Sequence, residues 1–203
     1  PKRRGAALNG EALRALIRER LGVGAARELT ATGAQETEKD GLRIRTFTLE
    51  RDGGGRAIPA RLLTPVGGAG SPLITIAMGA EAEAPAKAGH AALALEPAGF
   101  GDQAPADGRG YSPLYQLAAK AWLLGKNLPG MAVEDILDAA AWFLRQPEAR
   151  QGGLRMAARG AAGVPALLAA ALGALIVGLA TERMPESYAA LLDAPRHRGL
   201  PGP

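Results

Sequence analysis

The spacing of apolar residues along the first third of the chain changes from a helical period to a strand period. Residues 10–21 carry apolar side chains at helical spacing. After a polar stretch without a period, 23–40, for which we expect an irregular segment, apolar and polar residues alternate over Leu42–Leu49, as in a strand with one buried face. A glycine turn leads into a second such stretch, Arg56–Thr64, so we expect an antiparallel hairpin. Pro59 predicts an edge or a bulge in its second strand.

From residue 72 onward, short apolar runs alternate with helical segments. Runs that lack polar positions are typical of strands covered on both faces. The predicted strands are 73–78, 91–95, 154–158 and 175–179, and the predicted helices are 112–125, 131–145 and 165–172. Strands that alternate with helices favour a mostly parallel sheet with flanking helices. The predicted fold class is therefore α/β, with this sheet preceded by an antiparallel hairpin and an N-terminal helix.

One apolar stretch, residues 160–181, carries no charge and is long enough to span a membrane. It contains Pro165, three internal glycines and many alanines, so its mean preference for hydrocarbon is marginal. A helix that begins near Pro165 and ends at Gly173, followed by a strand, accounts for both breaks. We therefore favour a buried helix and strand over a membrane span.

The amino-acid composition excludes several kinds of catalytic and metal site. The 203 residues include no Cys, two His and three Ser. Without Cys there is no disulfide, thiol nucleophile or thiolate metal site, and two His leave no room for a His-rich zinc site. We therefore expect no metal and no cofactor. The net charge of +4 is small and spread out, and only 4% of residues are aromatic, so we expect no nucleic-acid partner.

Two weaker patterns are better explained without a site. Gly99–Ala104 follows a predicted strand and matches a dinucleotide fingerprint, but Pro105 and Gly108 come where that fingerprint needs a helix. Glu81 and Glu83 follow another predicted strand as candidate paired carboxylates. Because Glu is mostly exposed in proteins, we expect solvated loop charges there.

Three segments carry a resemblance to a known family. They are Ala88–Gly101, Leu128–Ile136 and Leu154–Leu172. Their order and spacing resemble the α/β-hydrolase fold, and within it the bacterial branch of acetyl xylan esterases and cephalosporin deacetylases. The likeness covers roughly residues 41–195. It implies a carboxylic-ester hydrolase whose serine nucleophile lies on a Gly-x-Ser-x-Gly turn between a strand and a helix.

The family's functional positions are changed in this chain. The segment aligned with the nucleophile turn is Ala158–Ala162, which places Gly160, a residue without a side chain, at the nucleophile position. The family's Arg in an Arg-Gly-x-Gly loop is Ala98 here, and its Arg in the segment before the next helix is Ala132. The family's His-Gly after the first core strand is Met78–Gly79.

No Ser-His-Asp triad is identifiable. In the family the acid and the histidine follow the nucleophile on later strands. This chain stops first, so we expect the C-terminal strands of the fold to be missing. The remaining candidates all lie outside the nucleophile turn: His90, His197, Ser71, Ser112 and Ser187. We divide the chain into an N-terminal arm and helix, 1–40, and an incomplete α/β-hydrolase-like domain, 41–203.

We predict an esterase-like protein that is catalytically inactive as this chain stands. Two alternatives stay open: a truncated piece of an active carboxylic-ester hydrolase, or a non-catalytic module that binds a carbohydrate or acyl ligand. The cleft predicted for such a small-molecule ligand lies above Gly79, Gly160 and Ala161. An incomplete sheet would expose an apolar edge, so we also expect self-association there. The compartment, whether secreted, periplasmic or cytoplasmic, stays open.

Overall fold

The computed structural model describes residues 10–68, 72–76, 82–101, 113–149 and 153–184 of the chain. The strands are β1 Leu29–Lys39, β2 Leu42–Arg51, β3 Ile58–Pro65, β4 Leu73–Ile76, β5 Ala92–Leu95, β6 Leu154–Arg159 and β7 Ile176–Glu182. The helices are α1 Gly10–Leu21, α2 Glu83–Lys87, α3 Pro113–Leu123, α4 Leu128–Phe143 and α5 Gly163–Leu172. All seven strands form one sheet in the order β1-β2-β3-β5-β4-β6-β7.

The sheet is mixed. β1, β2 and β3 pair antiparallel, and β3 also pairs antiparallel with β5. β5, β4, β6 and β7 are parallel to one another. The α/β architecture, the N-terminal helix and the β2–β3 hairpin are therefore confirmed. The expectation of a mostly parallel sheet is corrected, because the antiparallel strands belong to the same sheet as the parallel ones.

The prediction that residues 23–40 are irregular holds for 23–28 and is wrong for Leu29–Lys39, because β1 pairs with β2 along almost its whole length. Most β1 side chains are exposed, so the strand depends on backbone hydrogen bonds and carries no apolar stripe. The turn Asp40–Gly41, with φ of 53° and 74°, is the Asp-Gly pair that favours a tight hairpin. The division of the chain between residues 40 and 41 stays a prediction and falls within this turn.

The core lies mainly on one face of the sheet, under α1, α4 and α5. Large apolar side chains of the strands point to this face, and alanines dominate the other face, under α2. β5 shows the division, since Leu93 and Leu95 join the larger cluster while Ala92 and Ala94 join the smaller one. All four side chains are buried, as expected for a strand covered on both sides.

Pro59 lies in an interior strand, so the expectation of an edge or a bulge is wrong. β3 has neighbours on both sides, β2 and β5. The ladder to β5 begins one residue later, at Ala60 opposite Leu95. The Pro59 carbonyl still accepts a hydrogen bond from the Glu96 N–H at 3.1 Å. The proline therefore stands where its missing N–H removes no ladder bond to β5.

The apolar stretch 160–181 folds as α5 and β7, joined through Gly173. Within the described residues, no helix is both long and apolar enough to cross a bilayer. β7 is the last strand of the sheet at that side. Self-association through its free edge stays a prediction.

The first turn of α4 packs closely against the end of α1. Asn127 caps α4, because its side-chain oxygen accepts from Gly130 N–H at 2.7 Å. The Asn127 amide also donates to the carbonyls of Arg20 and Leu21, at 3.2 Å each. A Cβ added at Gly130 would lie 2.0 Å from the Leu21 carbonyl oxygen. Glycine is therefore needed here for contact between two helix backbones.

We expect Gly130→Ala to destabilise the protein by about 1–3 kcal/mol, as overpacking does. Alanine would gain about 1 kcal/mol in helix propensity, but a backbone atom cannot move aside as a side chain can. The measurement is the free energy of unfolding in urea. Gly24→Ala is the control, because a Cβ there meets nothing within 4 Å. Equal stability of the two variants would contradict the close contact between α1 and α4.

Candidate functional site

The candidate site lies at the edge of the sheet where the parallel strands end. In α/β sheets, ligands bind outside the carboxyl ends of the strands. β6 ends there at Arg159, a single 3-10 turn follows at Gly160–Ala162, and α5 begins at Gly163. The loop after β5, Glu96–Gly101, leaves the sheet at the same edge. The nucleophile turn expected from the sequence is thus a strand, a sharp turn and a helix.

Gly160 occupies the point where the chain reverses. Its φ is +57°, a backbone conformation that L side chains rarely adopt. A Cβ built on Gly160 would meet nothing within 4 Å, so the space beside this residue is open. The position has the left-handed backbone conformation and the free space of a nucleophile turn, but it carries no reactive atom.

Small residues on either side of Gly160 let β6 and α5 approach each other. Ala158 and Ala162 are 6% and 2% exposed and belong to the main core. A Cβ at Gly163 would lie 2.7 Å from Met184 Cγ. Pro165 lies in the first turn of α5, where its missing N–H has no partner to lose. The turn is therefore built by packing and needs no serine to form.

A salt bridge lies next to the turn. Arg159 Nη2 is 3.3 Å from Glu182 Oε1, and the two residues pair across β6 and β7. Both side chains are more than one-third exposed, so the bridge is worth little stability in solvent. It places one cation and one carboxylate beside the open space at Gly160.

The loop after β5 is a tight turn. Phe100 N–H donates to the Pro97 carbonyl at 3.0 Å, and Gly99 has φ +82° at the third turn position, which requires glycine. Ala98 N–H donates to Asp135 Oδ2 at 2.8 Å. A side chain of α4 thus fixes the backbone of the loop that faces the nucleophile turn.

Asp135 and Asp138, each 2% exposed, form a buried charged cluster with arginines. Arg51 Nη2 donates to Asp135 Oδ1 at 2.5 Å, and Arg51 Nε donates to Asp138 Oδ2 at 2.8 Å. Arg56 also pairs with Asp135. Arg27 N–H donates to Asp138 Oδ1 at 2.8 Å. The cluster therefore joins β2, the turn before β3, the segment before β1 and α4.

Crowding in this cluster lowers the pKa of the Arg56 guanidinium to about 10, through desolvation by burial and then repulsion from Arg51. The group stays charged near neutral pH. Two buried carboxylates therefore face three arginines, Arg27, Arg51 and Arg56, and neither acid is left without a counter-charge.

Several residues singled out in the sequence lie outside the described residues: Gly79, His197, Ser71, Ser112, Ser187, Glu81 and the 102–104 part of the dinucleotide pattern. Ala161 is described and forms the turn next to Gly160. Glu83 lies on α2, where its carboxylate is 3.6 Å from Lys87 Nζ.

His90 lies at the wrong edge of the sheet for a catalytic base. It precedes β5, whereas Gly160 follows β6, and the two strands run parallel through β4. Strands of this length separate their ends by roughly 15–20 Å. His90 therefore cannot take a proton from a group at position 160.

A cavity of about 330 Å³ lies at that opposite edge. Its polar lining includes Arg43, Thr64 and Glu148. Glu148 Oε2 is buried and finds no hydrogen-bond partner in the part of the chain that the structure describes. Over the same residues, no group of three or more His, Asp or Glu side chains could hold a metal ion.

Comparison with known proteins gives structural matches only. No protein-family model matches the sequence, and no curated protein matches it. A Bacteroides fragilis structure designated an acetyl xylan esterase superposes with a TM-score of 0.68 at 13% identity, covering 84% of this chain and 51% of its own. Acetyl Xylan Esterase 1 from Thermoanaerobacterium sp. gives 0.60 at 15% identity, with 91% and 61% covered. The acetyl xylan esterase from Paenibacillus sp. R4 gives 0.56 at 15% identity, with 82% and 55% covered.

The chain has an esterase-like α/β-hydrolase fold. At these identities the matches concern the fold alone. The chain spans about half to three fifths of the length of these α/β-hydrolase structures.

The buried cluster is the part of the site that the sequence analysis missed. The sequence does contain a pattern that indicates this cluster. Asp135 and Asp138 interrupt an apolar helix one turn apart, and Arg51 and Arg56 flank the glycine turn of the hairpin. Carboxylates within an apolar helix are rarely buried without a partner, so they call for buried cations.

We expect Asp138→Ala to cost about 3–5 kcal/mol of stability, because it leaves Arg51 buried without one of its two counter-charges. Glu36→Ala is a matched control that removes a salt bridge from the surface, where Glu36 lies 3.4 Å from Arg43 and both side chains are more than half exposed. It should cost at most about 1 kcal/mol. Denaturant unfolding measures both losses, and similar values would contradict the buried role of the cluster.

Proposed function

We propose that this chain is an esterase-like domain that does not hydrolyse esters as it stands. The observation that carries the proposal is Gly160, with a φ of +57° at the turn between β6 and α5. Nucleophilic hydrolysis needs a hydroxyl or thiol at this point, with a base within hydrogen-bond reach. Glycine supplies neither the attacking atom nor a proton to transfer.

The surroundings of Gly160 support the same conclusion. Arg159 and Glu182 are the charged side chains described next to the turn, and they pair with each other. Arginine stays protonated and cannot act as a general base. The described histidine, His90, precedes β5 at the other edge of the sheet. No described residue therefore completes a triad around position 160.

A second candidate function is favoured by the length comparison. The matched esterases are longer, and this chain spans only 51–61% of the three compared above. We infer that the sequence corresponds to the nucleophile-bearing part of a longer hydrolase-like protein, with the positions for acid and histidine on strands beyond this part. Such a protein would still carry glycine at the nucleophile position.

A third candidate is a ligand-binding module without catalysis. The open space beside Gly160 and the N–H groups at the start of α5 favour a carbonyl or carboxylate oxygen over a cation. A carbohydrate or acyl ligand would lie between this turn and the loop after β5, next to Ala161, while the other expected contact, Gly79, lies outside the described residues. A ligand that binds only the folded state raises the melting temperature.

We expect no turnover above background with p-nitrophenyl acetate or acetylated xylo-oligosaccharides. The assay also measures Gly160→Ala, a variant that has no hydroxyl at position 160, like the parent chain. Turnover of the parent chain that is lost on substitution of a named residue would overturn the proposal of inactivity.

Gly160→Ser should also show no esterase activity, because no described histidine lies at the turn to act as its base. We expect the serine to lower stability by about 1–2 kcal/mol, since a non-glycine residue at this φ is strained. An unfolding curve shows whether the variant is folded, so that inactivity is not mistaken for misfolding. Hydrolysis by this single variant would mean that a base lies within reach of position 160.

Thermal unfolding with xylo-oligosaccharides and with short acyl esters tests the binding module. A concentration-dependent rise in melting temperature that Gly160→Ala weakens is expected for a ligand at the turn. A flat response to both ligand classes would contradict this third candidate without affecting the first.

A further inference from the structure

The end of α3 exposes three consecutive large apolar side chains, which we call the α3 tip: Trp122, Leu123 and Leu124. They are 81%, 88% and 81% exposed. Tyr115, two turns earlier on the same helix, is 63% exposed. Side chains of this size together present several hundred Å² of surface, roughly the largest apolar patch of an ordinary monomer. Such a patch marks an interaction site.

The exposed side chains of the α3 tip are not simply the solvent-facing side of an amphipathic helix. α3 already has a packed side, since Leu114 and Leu117 contact a small core with Ala98, Leu128 and Ala132. The tip adds apolar side chains beyond that face, at the point where the helix ends.

The backbone fixes the tip in place. Gly125 N–H donates to the Trp122 carbonyl at 2.9 Å, and Lys126 N–H donates to the Ala121 carbonyl at 2.9 Å. Gly125 has φ +69°, as in a helix end that reverses through glycine. The apolar side chains therefore project from a closed turn and stay outside the core.

Lysine and arginine residues lie in the segments next to the α3 tip. Lys120 and Lys126 flank it in sequence. The Asn127 amide donates to the Arg20 carbonyl at 3.2 Å, so the end of α1 lies beside the same turn. Glu134 is 3.4 Å from Lys126 Nζ and 3.3 Å from Arg27 Nη2, which brings Arg27 to this surface. Segments 18–27 and 120–134 together hold five cationic and two acidic residues.

We propose that the α3 tip docks onto the surface of an anionic lipid bilayer, with its apolar side chains in the headgroup boundary and the surrounding cations on the lipid phosphates. Tryptophan and leucine at a protruding point, with Lys and Arg around them, are the composition that interfacial binding uses. Anionic headgroups attract each nearby cation within a Debye length.

A second copy of the chain fits this surface less well. A two-fold contact places the same patch of each copy against the other. Lys120 and Lys126 of each copy would then lie against those of the other around the apolar contact, in a chain whose net charge is already +4. A negatively charged lipid surface removes that repulsion.

Vesicle flotation tests the proposal. We expect the full chain to float with phosphatidylcholine–phosphatidylserine vesicles, to bind pure phosphatidylcholine weakly, and to be released as salt is raised. The double variant Trp122→Ser/Leu123→Ser should lower the partition coefficient by about tenfold or more. The matched control, Leu167→Ser/Val177→Ser, removes exposed apolar side chains from α5 and β7 and should leave binding unchanged, since these residues are 48% and 66% exposed. Arg20→Gln/Lys120→Gln should weaken binding to the anionic vesicles only.

Tryptophan fluorescence gives an independent readout, because the chain has two Trp in opposite environments. Trp142 is 5% exposed and stacks 5.1 Å from Phe47, so it already emits from an apolar site. The emission of Trp122 should shift to the blue when anionic vesicles are added, and Trp122→Phe should abolish the shift.

Three results would overturn the proposal. The first is no flotation with anionic vesicles at low salt. The second is equal flotation of the tip variant and the parent chain, which would assign binding to the basic residues Lys2–Arg4. The third is a concentration-dependent dimer that the tip variant abolishes, which would make a second copy the occupant.

Discussion

Two carboxylates one turn apart on α4, Asp135 and Asp138, hold together segments that are far apart in sequence. Each acid is buried, so each must be matched by a cation or a donor, and the hairpin arginines and the loop after β5 supply them. The apolar contacts of α4 would allow it to slide or rotate on the sheet. Directional hydrogen bonds to Arg51 and Ala98 N–H allow one orientation. The edge of the sheet that carries the candidate site therefore takes its shape from this charged cluster.

The turn at Gly160 has the backbone shape expected of a nucleophile turn but no reactive side chain. A hydrolase that places serine at such a turn accepts a strained backbone at its reactive residue. Glycine adopts φ +57° without that strain, and Ala158 and Ala162 still allow β6 and α5 to pack closely. Under the proposed function, glycine in place of serine removes reactivity and relieves strain at once, so nothing in the folding of this region works against it.

The sequence predicted those elements whose burial leaves a regular apolar pattern. α1, the β2–β3 hairpin, the helix before β6 and the turn at Gly160 all follow from spacing or from the family resemblance. β1 was not predicted because most of its side chains are exposed and its backbone hydrogen bonds hold it to β2. The charged cluster was not predicted because each of its members, such as Arg51 or Asp138, resembles a surface residue in the sequence. Only the fold brings these residues together. Long-range pairing of polar groups leaves no periodic trace in one sequence.

The two outer strands of the sheet differ in how they meet solvent. β1 is polar along its length, and an irregularity between Thr32 and Gln35, with Gly33 at φ +63°, breaks its regular pairing geometry. β7 is apolar over Ile176–Ala180, which favours pairing with another strand, and its own register with β6 shifts once, between Leu154 and Arg155. Growth of an extended filament needs two adhesive edges on each molecule, whereas the described part of the sheet has one apolar outer strand. Strand exchange through β7 would therefore terminate at a pair, and the polar outer strand limits polymerisation.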